Sequence, residues 1–180
     1  MADRNYPPGD FADRTNEVVG PLVLAPEEGG AGYDDVWKVS NCVGCQFSGI
    51  EVKAGKQREN AQDLNRYSSA NRFTGLVLDA GGQGAILAKG GSSDNTWDDV
   101  LIRKAGGNSD VMIGGYSQQS RATSKNNRFN NIRREDGKPV RYAYTFLRAH
   151  RPRFTNSKVE FQFWWSLVRT IDQEIKYLFA

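Results

Sequence analysis

Glu59 and Asp63, four residues apart, are the acidic pair whose spacing could do chemistry, and Asp110 or Asp79 could stack beside them from later in the chain. Two or three carboxylates gathered on one sheet could flank a glycosidic bond, one protonating the leaving oxygen while another activates water or attacks. A lyase would instead need a calcium site of several carboxylates and a base to take a proton. Arg66 stands where that base could be, but a guanidinium is effectively always protonated. The favoured reading is structural: Asp63, Asn65 and Arg66 satisfy the backbone of a turn and pair with one another. No catalytic residue is therefore expected, and Glu59, Asp63 and Asp110 are the candidates should the chain prove to be an enzyme.

Other chemistries find fewer parts. His150 is the single histidine, set in the run Arg148-Ala149-His150-Arg151, so a nucleophile-histidine pair has one base available and no partner implied nearby. It is expected on the surface. Cys42 and Cys45 form a CxxC, short of four zinc ligands even with His150 added, and a buried structural cysteine is the better reading of Cys45. The glycine pairs at 81–82, 90–91, 106–107 and 114–115 lack a following lysine and helix and read as turns, not as a phosphate cradle. Arg148, Arg151 and Arg153, with Arg133, Arg134 and Arg141 one coil away, could form a basic patch that binds an anionic surface. No metal or cofactor is expected.

These side chains must be positioned by a single domain of modest core, since the chain has 180 residues with 38% hydrophobic content and a mean hydropathy of -0.62. The 24 basic residues are offset by 21 acidic ones, a mixture that gives a net charge of +3 and does not mark a nucleic-acid binder. Charges and the Pro7-Pro8 pair interrupt the N-terminus where a secretion signal would be apolar, and no run approaches the roughly 20 apolar residues of a membrane span. The chain is expected to be soluble when made, without membrane insertion. Its two cysteines suit a reducing compartment.

A repeat organises the chain from Val36 onward: Asn, any residue, an aromatic, two residues, an aliphatic, one residue, an aliphatic. Asn71-Arg72-Phe73-Thr74-Gly75-Leu76-Val77-Leu78 and Asn95-Thr96-Trp97-Asp98-Asp99-Val100-Leu101-Ile102 match at every position. The copy at Cys45 keeps the aromatic and aliphatics, the copy at Asn127 ends in Arg134, and the copy at Pro152 is the loosest. The aromatics at 47, 73, 97, 129 and 154 lie 26, 24, 32 and 25 residues apart, the period of a solenoid coil. A second short strand is expected in each coil, at 61–64, 85–89, 111–114 and 140–144. The prediction is an all-β fold, a single-stranded right-handed parallel β-helix of about five coils over residues 35–160, with aromatics and aliphatics stacked inside.

Flanking segments break the pattern. Residues 1–34 hold Pro7, Pro8, Pro21 and Pro26 and a glycine cluster, and read as an extended arm or a disordered leader. The apolar residues Val18, Val19, Leu22, Val23 and Leu24 have no place in the repeat and are expected in a groove of a neighbouring subunit. Residues 161–180 carry Trp164, Leu167, Val168, Ile171, Ile175 and Leu178 at helical spacing. This predicts an amphipathic helix that caps the solenoid, with Phe161, Phe163 and Trp165 left over for a partner.

The segments Gln57 to Arg66, Leu87 to Ser92, Asp110 to Ser120 and Asp136 to Tyr142, together with the Trp-rich tail, resemble small parallel β-helix proteins of bacteriophages, notably aquatic and cyanobacterial ones. The resemblance covers residues 36–180. The wider fold it implies is the pectate-lyase-like β-helix, shared by polysaccharide lyases, polygalacturonase-type hydrolases and phage tailspikes. The placement of Glu59 and Asp63 resembles the acidic segment of polygalacturonase-type enzymes, although Asn60 stands where the phage proteins commonly have a second acid. The resemblance implies a non-catalytic, virion-associated protein made in the host cytoplasm: a decoration, spike or attachment component. A polysaccharide-degrading hydrolase or lyase is the alternative. Expected partners are other copies of the chain, as a trimer, other virion proteins and host-surface polysaccharide; nucleic acid is not among them.

Overall fold

A computed structural model describes residues 17–24, 35–53, 60–79, 82–104, 107, 109–114, 123–145, 149–163, 166–167 and 171, with backbone alone for 17–23. The protein is all-β. Twelve strands are described: β1 (Glu17–Leu24), β2 (Trp37–Ser40), β3 (Gln46–Val52), β4 (Asn60–Asn65), β5 (Arg72–Asp79), β6 (Gly84–Ala88), β7 (Thr96–Lys104), β8 (Val111–Ile113), β9 (Arg128–Arg134), β10 (Val140–Tyr144), β11 (Arg153–Thr155) and β12 (Val159–Phe161). They form two six-stranded sheets. Sheet A runs β1-β3-β5-β7-β9-β11 and sheet B runs β12-β10-β8-β6-β4-β2. Every pairing is parallel. The chain thus alternates between the two sheets, an arrangement consistent with a parallel β-helix-like solenoid, and the strands expected from the sequence are in place.

The odd spacing of the repeat has a local cause. In a straight strand side chains alternate faces with period 2, which would put the aromatic and the aliphatic three residues later on opposite faces. Each repeat instead holds one residue in the left-handed region between them: Gly49, Gly75, Asp99, Asn131 and Asn156, with φ of 63°, 62°, 54°, 51° and 48°. That residue resets the alternation, so Phe47, Ile50 and Val52 all point inward, as do their counterparts in β5 and β7. Only Gly, Asn and Asp occupy the position, the types that tolerate this conformation.

The inward aromatics form one continuous stack. Phe47, Phe73, Trp97, Phe129 and Phe154 have successive ring centroids 5.1, 5.1, 4.6 and 4.9 Å apart, with interplanar angles of 5–19°. From sheet B, the Gln62 Oε1 accepts a 2.8 Å hydrogen bond from the Trp97 Nε1–H, and Trp37 packs edge-on against Phe47 and Phe73.

Beside the stack runs a buried polar ladder. The Asn71 Oδ1 accepts from the Cys45 N–H at 2.8 Å; Asn95 accepts from Asn71, and Asn127 from Asn95, through both backbone and side-chain donors at 3.0–3.2 Å. The amide of each donates to the carbonyl of Cys42, Ser68 or Ser92. Cys45 and Pro152 hold the equivalent register at the two ends. Cys45 is bonded to Cys42 in a disulfide, and both are buried. The expected burial is found; the free thiols that a reducing compartment would keep are not what the structure contains.

Two expectations change. The apolar run expected in a neighbour's groove belongs to β1, which pairs with β3 of its own chain; residues 1–16 and 25–34 lie outside the described residues. Phe161 ends β12 and does not start a helix. Beyond it Phe163, Ser166, Leu167 and Ile171 have helical backbone, and the rest of the expected helix is outside the described residues.

Candidate functional site

Among the described residues the ionisable group moved furthest from its ordinary value lies beside sheet B, at its first three strands. Asp35 precedes β2, Asp63 sits in β4 and Lys89 directly follows β6, so strand pairing brings together residues far apart in sequence. The Asp35 Oδ1 accepts from the Asn60 backbone N–H at 2.9 Å and from its side-chain amide at 2.8 Å. The Asp63 Oδ2 takes the Lys89 ammonium at 2.9 Å and the Asn65 amide at 3.0 Å. Asp35 and Asp63 are 6% and 1% exposed. Burial, and then the charge of the neighbouring Asp63 carboxylate, raise the Asp35 carboxyl to about 7, against the opposing pull of Asn60 and Lys89. The Asp63 Oδ1 is buried with no fixed N–H or O–H directed at it. Once protonated, the raised Asp35 carboxyl has an O–H to offer in this buried pair.

The other candidate acids among the described residues do not join this pair. Glu59 lies outside the described residues. Asp79 ends β5 in the opposite sheet, where it holds Arg103 at 2.8 Å and Lys104 at 3.1 Å. Asp110, fully buried, receives Arg134 at 3.2 Å and Arg141 at 3.0 Å, together with the Arg141 backbone N–H. That ion pair explains the repeat's exception: Arg134 occupies the register of Ile102 but reaches Asp110 and Asp136. Along the strand register, Asp63 is followed by Leu87, Met112 and Ala143, so the acidic row ends at once. Among the described residues no three His, Cys, Asp or Glu side chains are grouped to hold a metal ion.

Sequence reasoning found Asp63 and missed both of its main partners. Arg66, expected to pair with Asp63, is exposed in a left-handed turn with Tyr67, at φ of 51° and 61°; Lys89 from the next strand holds the carboxylate instead. Asp35 carries no local motif, and only the register of β2 on β4 reveals it. His150 is exposed, as expected.

The arginines divide into two groups. Arg133 pairs with Asp99, and Arg134 and Arg141 with Asp110, so these three are neutralised and do not extend a basic patch. Arg151 and Arg153 are exposed, and Arg148 is outside the described residues. Arg153 lies in register with Arg128, a residue the sequence reading passed over, and Arg128 is also exposed. Both project from the outer face of sheet A, because Phe129 and Phe154 next to them point inward.

The class that fold and site define is an all-β, solenoid-like protein of two parallel sheets with a buried pair of acids, Asp35 and Asp63. Protein-family models, curated proteins and solved structures gave no match to the chain, so its own geometry must support any functional reading.

Proposed function

We propose that the chain is a right-handed parallel β-helix of about five coils, closed at its C-terminal end by a helix, that serves a bacteriophage particle without catalysis. Its role is that of a decoration, spike or host-surface attachment component, and it works as a trimer. One observation carries the non-catalytic part: the described acids nominated by sequence are used internally. Asp110 is fully buried under two arginines. Asp63 is 1% exposed and its Oδ2 is taken up by the Lys89 ammonium and the Asn65 amide. The phage assignment rests on the sequence resemblance.

A polysaccharide-degrading enzyme is the second reading, favoured by the Asp35–Asp63 pair, since a carboxyl that titrates near neutrality suits a general acid. Incubation with host capsule, lipopolysaccharide and pectin-like polymers, with and without Ca²⁺, separates the two. The expected outcome is no reducing ends and no unsaturated products. Cleavage that vanished in Asp63→Asn would establish the enzyme instead. Mass spectrometry of purified particles tests packaging directly, and the expected result is peptides of this chain in the virion.

A further inference from the structure

We propose that Arg128 and Arg153, with Lys125 and Arg151 beside them, bind a carboxylate-bearing acidic polysaccharide along the outer face of sheet A. This deepens the attachment reading above and rests on it. Arg128 and Arg153 are Cα partners on the adjacent strands β9 and β11, which sets their backbones about 4.8 Å apart. Like charges directly opposite on neighbouring strands are destabilising unless something neutralises them. Elsewhere on this sheet that requirement is met within the chain: Arg72 by Asp98 at 3.3 Å, Arg103 by Asp79 and Glu51, Arg133 by Asp99. Arg128 and Arg153 have no carboxylate partner among the described residues.

Lys125 and Arg151 are exposed just before the same two strands. Of the acids closest to them in the repeat, Asp98 is engaged by Arg72 and Asn130, and Asp94, which accepts the neutral Asn126 amide at 2.9 Å, makes no ion pair with these cations. What is left is a pair of arginines at strand pitch, with Lys125 and Arg151 just before their strands and Thr155 and Asn130 in the neighbouring column. A guanidinium matches a carboxylate through two parallel hydrogen bonds, and two guanidiniums held at strand pitch suit a linear polymer whose charge repeats. Nucleic acid fits less well. The bases of a single strand stack on exposed aromatics, and the exposed aromatics among the described residues are Tyr67, in the turn after β4, and Phe163, beyond β12.

The test is binding of the full chain to alginate, neutral dextran and a single-stranded DNA of matched charge, followed by calorimetry across a salt series, with reducing ends and unsaturated products assayed in the same tubes. Saturable, salt-sensitive binding to alginate and none to dextran is expected. The double variant Arg128→Gln/Arg153→Gln should bind alginate at least about tenfold more weakly, with an unchanged circular dichroism spectrum. Arg133→Gln, whose partner is Asp99, should change binding less than about twofold. Undiminished binding by the double variant, tighter binding to the DNA than to alginate, or no binding at low salt would each overturn the proposal. Arginine-dependent binding accompanied by cleavage would support this site and overturn the non-catalytic reading, so the two failures are distinct.

Discussion

Asp35 holds a proton that an ordinary aspartate would have lost, and this ties the fold's stability to pH. Its carboxyl is raised from 3.8 to about 7 by burial and by Asp63. The folded state therefore binds a proton that the unfolded state has released, and the resulting stability is fully present below about pH 4 and is lost as pH rises through 7. The loss contributed by this group is on the order of 2–4 kcal/mol between pH 4 and 8. Asp35→Asn keeps an oxygen for Asn60 and supplies a permanent N–H to the Asp63 Oδ1. Its stability should be nearly independent of this titration and should exceed that of the native chain at pH 8. Urea unfolding at half-unit intervals from pH 5 to 8.5 checks this, and parallel profiles for the two proteins would refute the raised Asp35 carboxyl. At this scale the sequence was half legible: Asp63 stood out beside Glu59, whereas Asp35 and Lys89 reach it only through strand register, which no short motif records.

The repeating element owes its register to the Asn ladder as much as to apolar packing. The Asn95 Oδ1 accepts two donors from Asn71 and its amide donates to the Ser68 carbonyl at 3.0 Å, all out of water. Asn95→Ala should leave the buried Asn71 N–H and Ser68 C=O without partners and cost about 2–4 kcal/mol in chemical denaturation. Asn95→Asp keeps the acceptor and loses the donor, so it too should be destabilised. A midpoint within error of the native chain for either variant would show that the ladder is not needed. The aromatic and aliphatic spacing was readable because the left-handed residue between them is confined to Gly, Asn and Asp. A second signal was present but unread: Ser stands three residues before each ladder Asn, at 68 and 71, 92 and 95, 124 and 127. In that frame Cys42 and Cys45 take the Ser and Asn positions and are joined to each other by a disulfide, while the Cys45 N–H still donates to Asn71.

At the scale of the molecule, five stacked rings tie the repeats into one core, and Phe73 and Trp97 are its fully buried central members. Replacing either by Ala should cost about 3–5 kcal/mol while leaving a β-type circular dichroism spectrum at low temperature. An unchanged melting temperature would mean that the stack does not hold the repeats together. The alternating sheets were legible from the period of the repeat. The position of β1 was not, because an apolar run without the aromatic signature can pair with a sheet edge as readily as with a neighbour. The ladder also has a direction. Each N–H in it is answered by an asparagine 24–32 residues further along the chain. On the ribosome, where about 5–20 residues are added per second, every turn of the chain therefore waits roughly 1–6 s for the amide that completes it. The nascent protein is built so that each newly emerged segment locks the one before it, and a pause in translation would leave just one rung open at a time.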